Sequence, residues 1–192
     1  MPNASKKIVF VGSSCVGKSC LIETFVNGAF PKTYVPKVCD TCTKTVEFEG
    51  KNLDLFLCYT QGLEDYKMLR PLSYPNTDVI VIVFGIDAPG TLEDVADLWA
   101  PEVNHHCSSA PIVLVGLRQD LRDNPITLSK LSKDNKRPVT EQEGKAMAER
   151  INACAYLECS AANLEGISDV FTTIAAATFI PTTKRRKYCC VQ

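Results

Sequence analysis

KKIVFVGSSCVGKSCLIETFVNG, residues 6–28, decides how this chain folds. Its opening, KKIVFVG (6–12), is an apolar, β-branched run ending in glycine and predicts a buried strand. Its close, KSCLIETFVNG (18–28), places apolar residues at helical spacing and stops at Gly28, which predicts a helix with a glycine C-cap. Between them GSSCVGKS (12–19) fits the pattern G-x-x-x-x-G-K-[ST]. Gly12 and Gly17 let the backbone curl, so that successive N–H groups face an anion. Lys18 then reaches the outer phosphates of a nucleotide, the Ser19 hydroxyl is placed for Mg²⁺, and Cys20 follows on the first helical turn. A helix beginning at that point adds its dipole to the phosphate site.

Outward from this motif the same alternation continues. KTVEFEG and KNLDLFLCY (44–59) read as a hairpin turning at Gly50. VIVIVFGID, PIVLVG and AYLECS read as three further buried strands, with helices around 92–105, 140–151 and 167–178. Strand and helix in repeated succession predict an α/β fold: a mostly parallel six-stranded sheet covered by helices on both faces. No internal repeat or low-complexity tract interrupts it. One domain over residues 1–180 and a tail over 181–192 are expected for a chain of 192 residues.

Composition narrows the class. The longest apolar runs fall well short of the ~18 to 20 residues of a membrane span, and the N-terminus has no signal-like apolar segment, so a soluble intracellular protein is expected. Ten cysteines are scattered through predicted strands and helices, a distribution that predicts reduced thiols. Cys39 and Cys42 have zinc-like spacing, but no second pair follows and the two histidines, His105 and His106, are neighbours, so no structural metal is expected. Formal net charge is -1. Four basic residues, Lys184, Arg185, Arg186 and Lys187, sit together in the tail; without them 17 basic residues face 22 acidic ones. A basic tail on an acidic body gives no face for nucleic acid.

A phosphate cradle does not select the base. LRQD (117–120) and CSA (159–161) follow successive strands. An aspartate such as Asp120 accepts two hydrogen bonds from the ring N–H and amino group of guanine, a pair that adenine does not present. A turn at Ser160 and Ala161 directs backbone N–H groups at the guanine carbonyl.

With these residues in view, the chain resembles a Rho family small GTPase of the Ras superfamily over about residues 5–192. The resemblance is carried by GSSCVGKSCL (12–21), FPKTYVPKV (30–38), EDYKMLRPLSYPNTDV (64–79), PEVNHHC (101–107), PIVLVG (111–116), DLRD (120–123), YLECSA (156–161) and the terminal CCVQ. It implies a P-loop small G domain that binds GTP or GDP with Mg²⁺. The segment 124–138, NPITLSKLSKDNKRP, is similar to the extra helical insert of Rho proteins. Where the letters agree it implies nucleotide contacts for Gly17, Lys18, Ser19, Phe30, Tyr34, Gly62, Asp120, Ser160 and Ala161, with Ser19 also on the metal; Gly12, Ser14, Cys15, Val16, Cys20 and Arg118 are expected in the same nucleotide site. Effectors, exchange factors and a dissociation inhibitor are implied as partners through residues 30–42 and 64–75, the protein itself being monomeric. At the tail, Cys189 begins a C-a-a-X box ending in Gln192, which implies farnesylation and attachment to the cytoplasmic face of a membrane; the Cys189 and Cys190 pair also permits double prenylation.

The departures from the family pattern are as informative. Where the family reads D-T-A-G-Q-E, this chain reads Tyr59, Thr60, Gln61, Gly62, Leu63, Glu64. A phenol replaces the carboxylate that holds Mg²⁺ through water, and Leu63 replaces the glutamine that orients the attacking water. Lys37 stands for the switch threonine, Ser14 for a P-loop glycine, and Leu117 and Arg118 for a polar residue and a lysine; an arginine still stacks on a planar base. Three readings follow: a GTP-binding switch with impaired hydrolysis, an interaction module without nucleotide control, and a P-loop ATPase or kinase. The last is disfavoured by Asp120 with Ser160 and Ala161. Compensation by Gln61, two positions from Leu63, or by the Lys37 ammonium stays open, although phosphoryl transfer depends on positioning and a two-residue displacement of the amide is costly.

Overall fold

The structure, a computed structural model, describes residues 3–32, 39–60 and 62–181. Strand β1 (Ala4–Gly12) leads into α1 (Lys18–Asn27). Strands β2 (Cys39–Phe48) and β3 (Lys51–Thr60) form an antiparallel hairpin in which Phe48 faces Lys51 across Glu49 and Gly50, both at positive φ. After two short 3₁₀ turns at Glu64–Tyr66 and Arg70–Ser73 come β4 (Val79–Gly85), a helical run over residues 90–106, β5 (Ile112–Leu117), α4 (Pro125–Ser132), α5 (Glu141–Arg150), β6 (Ala155–Cys159) and α6 (Ile167–Ala177).

The six strands lie in the order β2-β3-β1-β4-β5-β6, all parallel except β2. β1 is flanked by β3 on one side and β4 on the other, so successive segments leave it in opposite directions and open a crevice at its C-terminal end. β4 is buried along its whole length, as a central strand with both faces covered must be. One apolar layer joins the sheet to α1 and α6, where the Phe25 and Phe171 rings stack 3.5 Å apart. The other joins it to residues 95–103 and α5 through Trp99, Val103, Met147 and Phe84.

The expected elements are present with small shifts of boundary. The helical run is not uniform: Gly90–Asp94 and Ala100–His106 are α-helical, while Val95–Trp99 is a π turn. The wider turn buries both Val95 and Trp99. Helix α5 starts at a capping box, in which Thr140 accepts from the Glu143 N–H and Glu143 accepts from the Thr140 N–H. Helix α4 starts at Asn124, whose side chain accepts from Ile126 and Thr127, with Pro125 at the first position. α4 is thus the helical part of the expected 124–138 insert. Cys15, Cys20, Cys42, Cys58, Cys107, Cys154 and Cys159 are free thiols, and no described helix is long and apolar enough to cross a membrane.

Candidate functional site

Five strand ends converge on one edge of the sheet, and each carries a piece of the site. Gly12 closes β1 with φ +148; a Cβ there would fall 2.2 Å from the Val83 carbonyl oxygen, so this turn admits only glycine. Cys15 takes a left-handed conformation at φ 60, and Gly17, at φ 108, stands at the N-terminus of α1 without a side-chain cap. The first N–H groups of α1 therefore face outward toward whatever the loop encloses.

Lys18 is 7% exposed, and its Nζ donates to the carbonyls of Gly12 at 2.7 Å and Ser13 at 2.8 Å. Burial draws its pKa down to about 8. A sequestered ammonium held by two neutral carbonyls is poised for an anion, whose charge would offset the cost of its burial. Two further polar atoms lie buried around the phosphate loop: Ser14 Oγ and Thr60 Oγ1 meet no hydrogen-bond partner among the described residues.

A cavity of about 230 Å³ is lined by Val16, Phe30, Leu117, Asp120, Ala161 and Ala162, and another of about 200 Å³ by Lys18, Ser19, Tyr59 and Thr60. Gly17, Cys20 and Arg118 line both, so the two form one cleft with an apolar, planar half and a polar half. Their volumes together suit a nucleotide. Among the described residues no carboxylate lines the polar half, and they contain no cluster of three or more His, Cys, Asp or Glu placed for a metal. Ser19 lines this half, and its hydroxyl is the side-chain oxygen that would hold a Mg²⁺ ion there. Tyr59, 5% exposed, occupies the wall where the family pattern has its aspartate.

In the planar half Arg118 sits at φ 63, its Nη1 2.9 Å from Asp87 Oδ2 and its Nη2 donating to the Cys15 carbonyl. It thereby ties the base loop to the phosphate loop. Phe30 is 45% exposed at the cavity rim, and Asp120 and Ala161 face the same space. Ser160 is different from expectation in its position: it is wholly buried beneath the cavity, its Oγ accepting from the Asn163 N–H at 3.1 Å. Two backbone bonds of 3.0 Å between Ser160 and Glu165 hold that turn, while Ala161 and Ala162 form the lining.

Gly62 packs on the outer turn of the phosphate loop. A Cβ at Gly62 would lie 2.2 Å from the Gly12 oxygen and 2.6 Å from Ser14 N, both backbone atoms. Leu63, the next residue, is 46% exposed, and its carbonyl accepts from Arg70 Nη1 at 3.1 Å. Arg70 also makes a two-pronged contact with Glu102 at 2.9 and 2.8 Å, and its guanidinium lies 4.8 Å over the Trp99 ring. Trp99 Nε1 donates to Ser13 Oγ at 3.1 Å, and Ser13 in turn donates to Asp94 at 2.6 Å. A chain of contacts thus runs from the phosphate loop through the π turn to the segment after Gly62. Burial pulls Glu102 upward, but the Arg70 and Tyr74 hydrogen bonds outweigh it and hold this carboxyl below its usual range.

Sequence reasoning did not single out Arg70, Trp99, Glu102, Asp87 or Thr60. Their signal was charge inside apolar context, as in DLWAPEV, which period alone does not convert to a pairing 32 residues away. Tyr34, Lys37, Gln61 and Cys189 lie outside the described residues.

Comparison with known proteins agrees with this geometry. The family model described as "Ras family" matches residues 7–179. The chain is 44% identical over 191 residues to the GTP-binding protein rho5 of Schizosaccharomyces pombe, covering 96% of each chain. It is 46% identical over 175 residues to the GTP-binding protein rho1 of the same yeast, covering 91% of this chain and 87% of that one.

Proposed function

Because the chain belongs to the Rho branch of the Ras family of small GTPases, we propose that it is a guanine-nucleotide switch with feeble GTP hydrolysis, attached to a membrane by its C-terminal tail. The observation that carries this reading is a contrast: Lys18, Ser19, Phe30 and Asp120 line one cleft, while a leucine, Leu63, stands at the water-orienting position. The Gly12–Gly17 turn, buried Lys18 and the Asp120 and Ala161 walls form a nucleotide site. Leu63, where the family pattern has its water-orienting glutamine, offers only an exposed apolar side chain. Binding without positioned water holds a nucleotide but does little for its cleavage.

Mg²⁺, when bound, offsets phosphate charge; with Ser19 as its protein oxygen in this cleft it is held loosely. The exposed Met68, Leu69 and Leu72, at 86%, 55% and 75%, support the 64–75 segment as a surface for effectors and regulators; residues 30–42 are the other segment in this reading. The basic run 184–187 and Cys189 supply the charge and the lipid for an anionic cytoplasmic membrane face, where one lipid chain alone binds marginally. Tyr59 in the wall of the polar half, where the family pattern has its aspartate, favours one second reading, an interaction module freed of nucleotide control that sequesters Rho-type effectors or regulators.

Thermal unfolding with GDP, GTP or ATP, each with and without Mg²⁺, separates the two. At 100-fold excess over Kd a ligand of the folded state adds about 2.7 kcal/mol, or roughly 5 to 10 °C in a domain of this size. GDP and GTP are expected to give this rise and ATP none. No rise with any guanine nucleotide would replace the switch by the interaction module.

A further inference from the structure

The guanine-facing residues Asp120 and Ala161 are carried on separate loops, after β5 and after β6, and what fixes their separation lies behind the cavity. Arg122 follows Asp120 by two residues, and Glu158 precedes Ser160 by two. Their side chains form a parallel two-pronged pair, Nη1 to Oε2 and Nη2 to Oε1, both at 2.7 Å. The third arm, Nε, donates to the Val139 carbonyl at 2.9 Å. The Tyr156 hydroxyl donates to the same Glu158 carboxylate, and the Tyr156 ring stands against Gly144 of α5 and parallel to Phe84. Glu158 is 9% exposed and Arg122 23%. The carboxylate is thus fixed from both sides, and with it the spacing of the two loops.

We propose that Arg122, Glu158 and Tyr156 form a positioning clamp that sets the discrimination of guanine from other purines by fixing the distance and angle between the Asp120 and Ala161 loops. The inference rests on the nucleotide-binding reading above and adds residues that do not touch the cleft. The geometry separates the clamp from affinity in general. The phosphate half of the site is built by Gly12–Ser19 and Thr60, on β1, α1 and β3, whereas the hydrogen bonds of the pair run to Val139 and Tyr156. Loosening the clamp leaves phosphate binding in place and misaligns the two simultaneous hydrogen bonds that Asp120 offers to the guanine ring N–H and amino group. Losing a hydrogen bond from a site built to make it is a large discrimination; a site free to shift makes neither bond well and discriminates little.

The test compares GDP with inosine diphosphate, which keeps the ring N–H and lacks the amino group, by titration calorimetry on the full chain. The wild type is expected to prefer GDP. In Arg122→Gln and in Glu158→Gln, an isosteric change that protects the fold, GDP affinity is expected to fall about tenfold more than inosine diphosphate affinity. The exchanged pair, Arg122→Glu with Glu158→Arg, is expected to recover most of the ratio. An equal loss for both ligands would overturn the proposal and leave the pair a stabilising contact only, as would an unchanged ratio in a folded Glu158→Gln protein. Failure of the wild type to bind GDP is a separate result, and it refutes the nucleotide reading itself.

Discussion

Gly144→Ala is a substitution that helix propensity alone would recommend, and the structure predicts the opposite outcome. Gly144 sits inside α5, where exchanging glycine for alanine is worth about 1 kcal/mol in favour of the helix. The new Cβ, however, would lie 2.0 Å from the Tyr156 Oη, 2.2 Å from Cζ and 2.7 Å from Cε2. Those atoms belong to a rigid ring parallel to Phe84, so the ring must move as a body and release Glu158. Overpacking of this kind costs roughly 1 to 3 kcal/mol, and a hydrogen bond to a charged carboxylate contributes about 1.5 to 3 more. After the helix gain is set against these, the net loss is about 3 kcal/mol, a fall in Tm of roughly 6 to 12 °C. In a Tyr156→Ala background the obstacle is gone, and the same change is expected to stabilise by about 1 kcal/mol. Four proteins measured by urea and thermal unfolding give the cycle. A single Gly144→Ala protein as stable as wild type, or a loss of the same size in both backgrounds, would refute the packing argument.

Four further outcomes are expected. Single-turnover GTP hydrolysis is slow and little stimulated by a Rho-type activating protein, and Leu63→Gln raises it; strong stimulation of the unaltered chain would show that Gln61 orients water after all, which Gln61→Ala would then abolish. EDTA accelerates nucleotide release only modestly, because Tyr59 and Lys37 replace two oxygen-bearing residues of the family pattern; an acceleration as large as in a protein with the full D-T-A-G motif contradicts this. In eukaryotic cells Cys189 carries a farnesyl thioether and the last three residues are removed, which intact mass spectrometry reads directly, and Cys189→Ser releases the protein from membranes. The Arg137 hydrogen bond holds Glu143 down to about 2, so its contribution to stability is present above the unfolded carboxylate range and is lost as pH falls from about 4.5 toward 2. Because both partners are largely exposed, the difference between wild type and Glu143→Gln is expected to be under about 1 kcal/mol at neutral pH and to vanish at the acidic end.

The parts of the molecule legible in the sequence are those written in local periodicity. VIVIVFG, IVLVG and the glycine turn at 12–17 each announce their structure within a few residues, and the hairpin is marked by Gly50. The cleft was legible to the same extent, since Lys18, Ser19 and Asp120 stand at fixed offsets from strand ends. What was not legible are pairings across long separations: Arg70 with Glu102, Arg122 with Glu158, and Trp99 with Ser13 have no common period, and their partners are chosen only by the packing of the sheet. The π turn at Val95–Trp99 has no marker of its own, because the residues VADLW suit an α-helix equally well. Ser160 shows a subtler limit, since the motif gives its place in the chain correctly but not which neighbour faces the cavity.

The cleft is assembled from the ends of β1, β3, β4, β5 and β6, and that division of labour ties the life of the protein to its surroundings. No sub-fragment of the sheet contains more than a portion of the walls, and partial opening of either flank dismantles the site. A ligand held across those ends is therefore coupled to the whole cooperative unit rather than to one loop. In a cell, the unfolded fraction that proteases can reach shrinks as the ligand concentration rises. Under the proposed weak turnover of the nucleotide, supply of nucleotide and protein half-life would become linked quantities, and the amount of protein present would itself read out how full the cleft is.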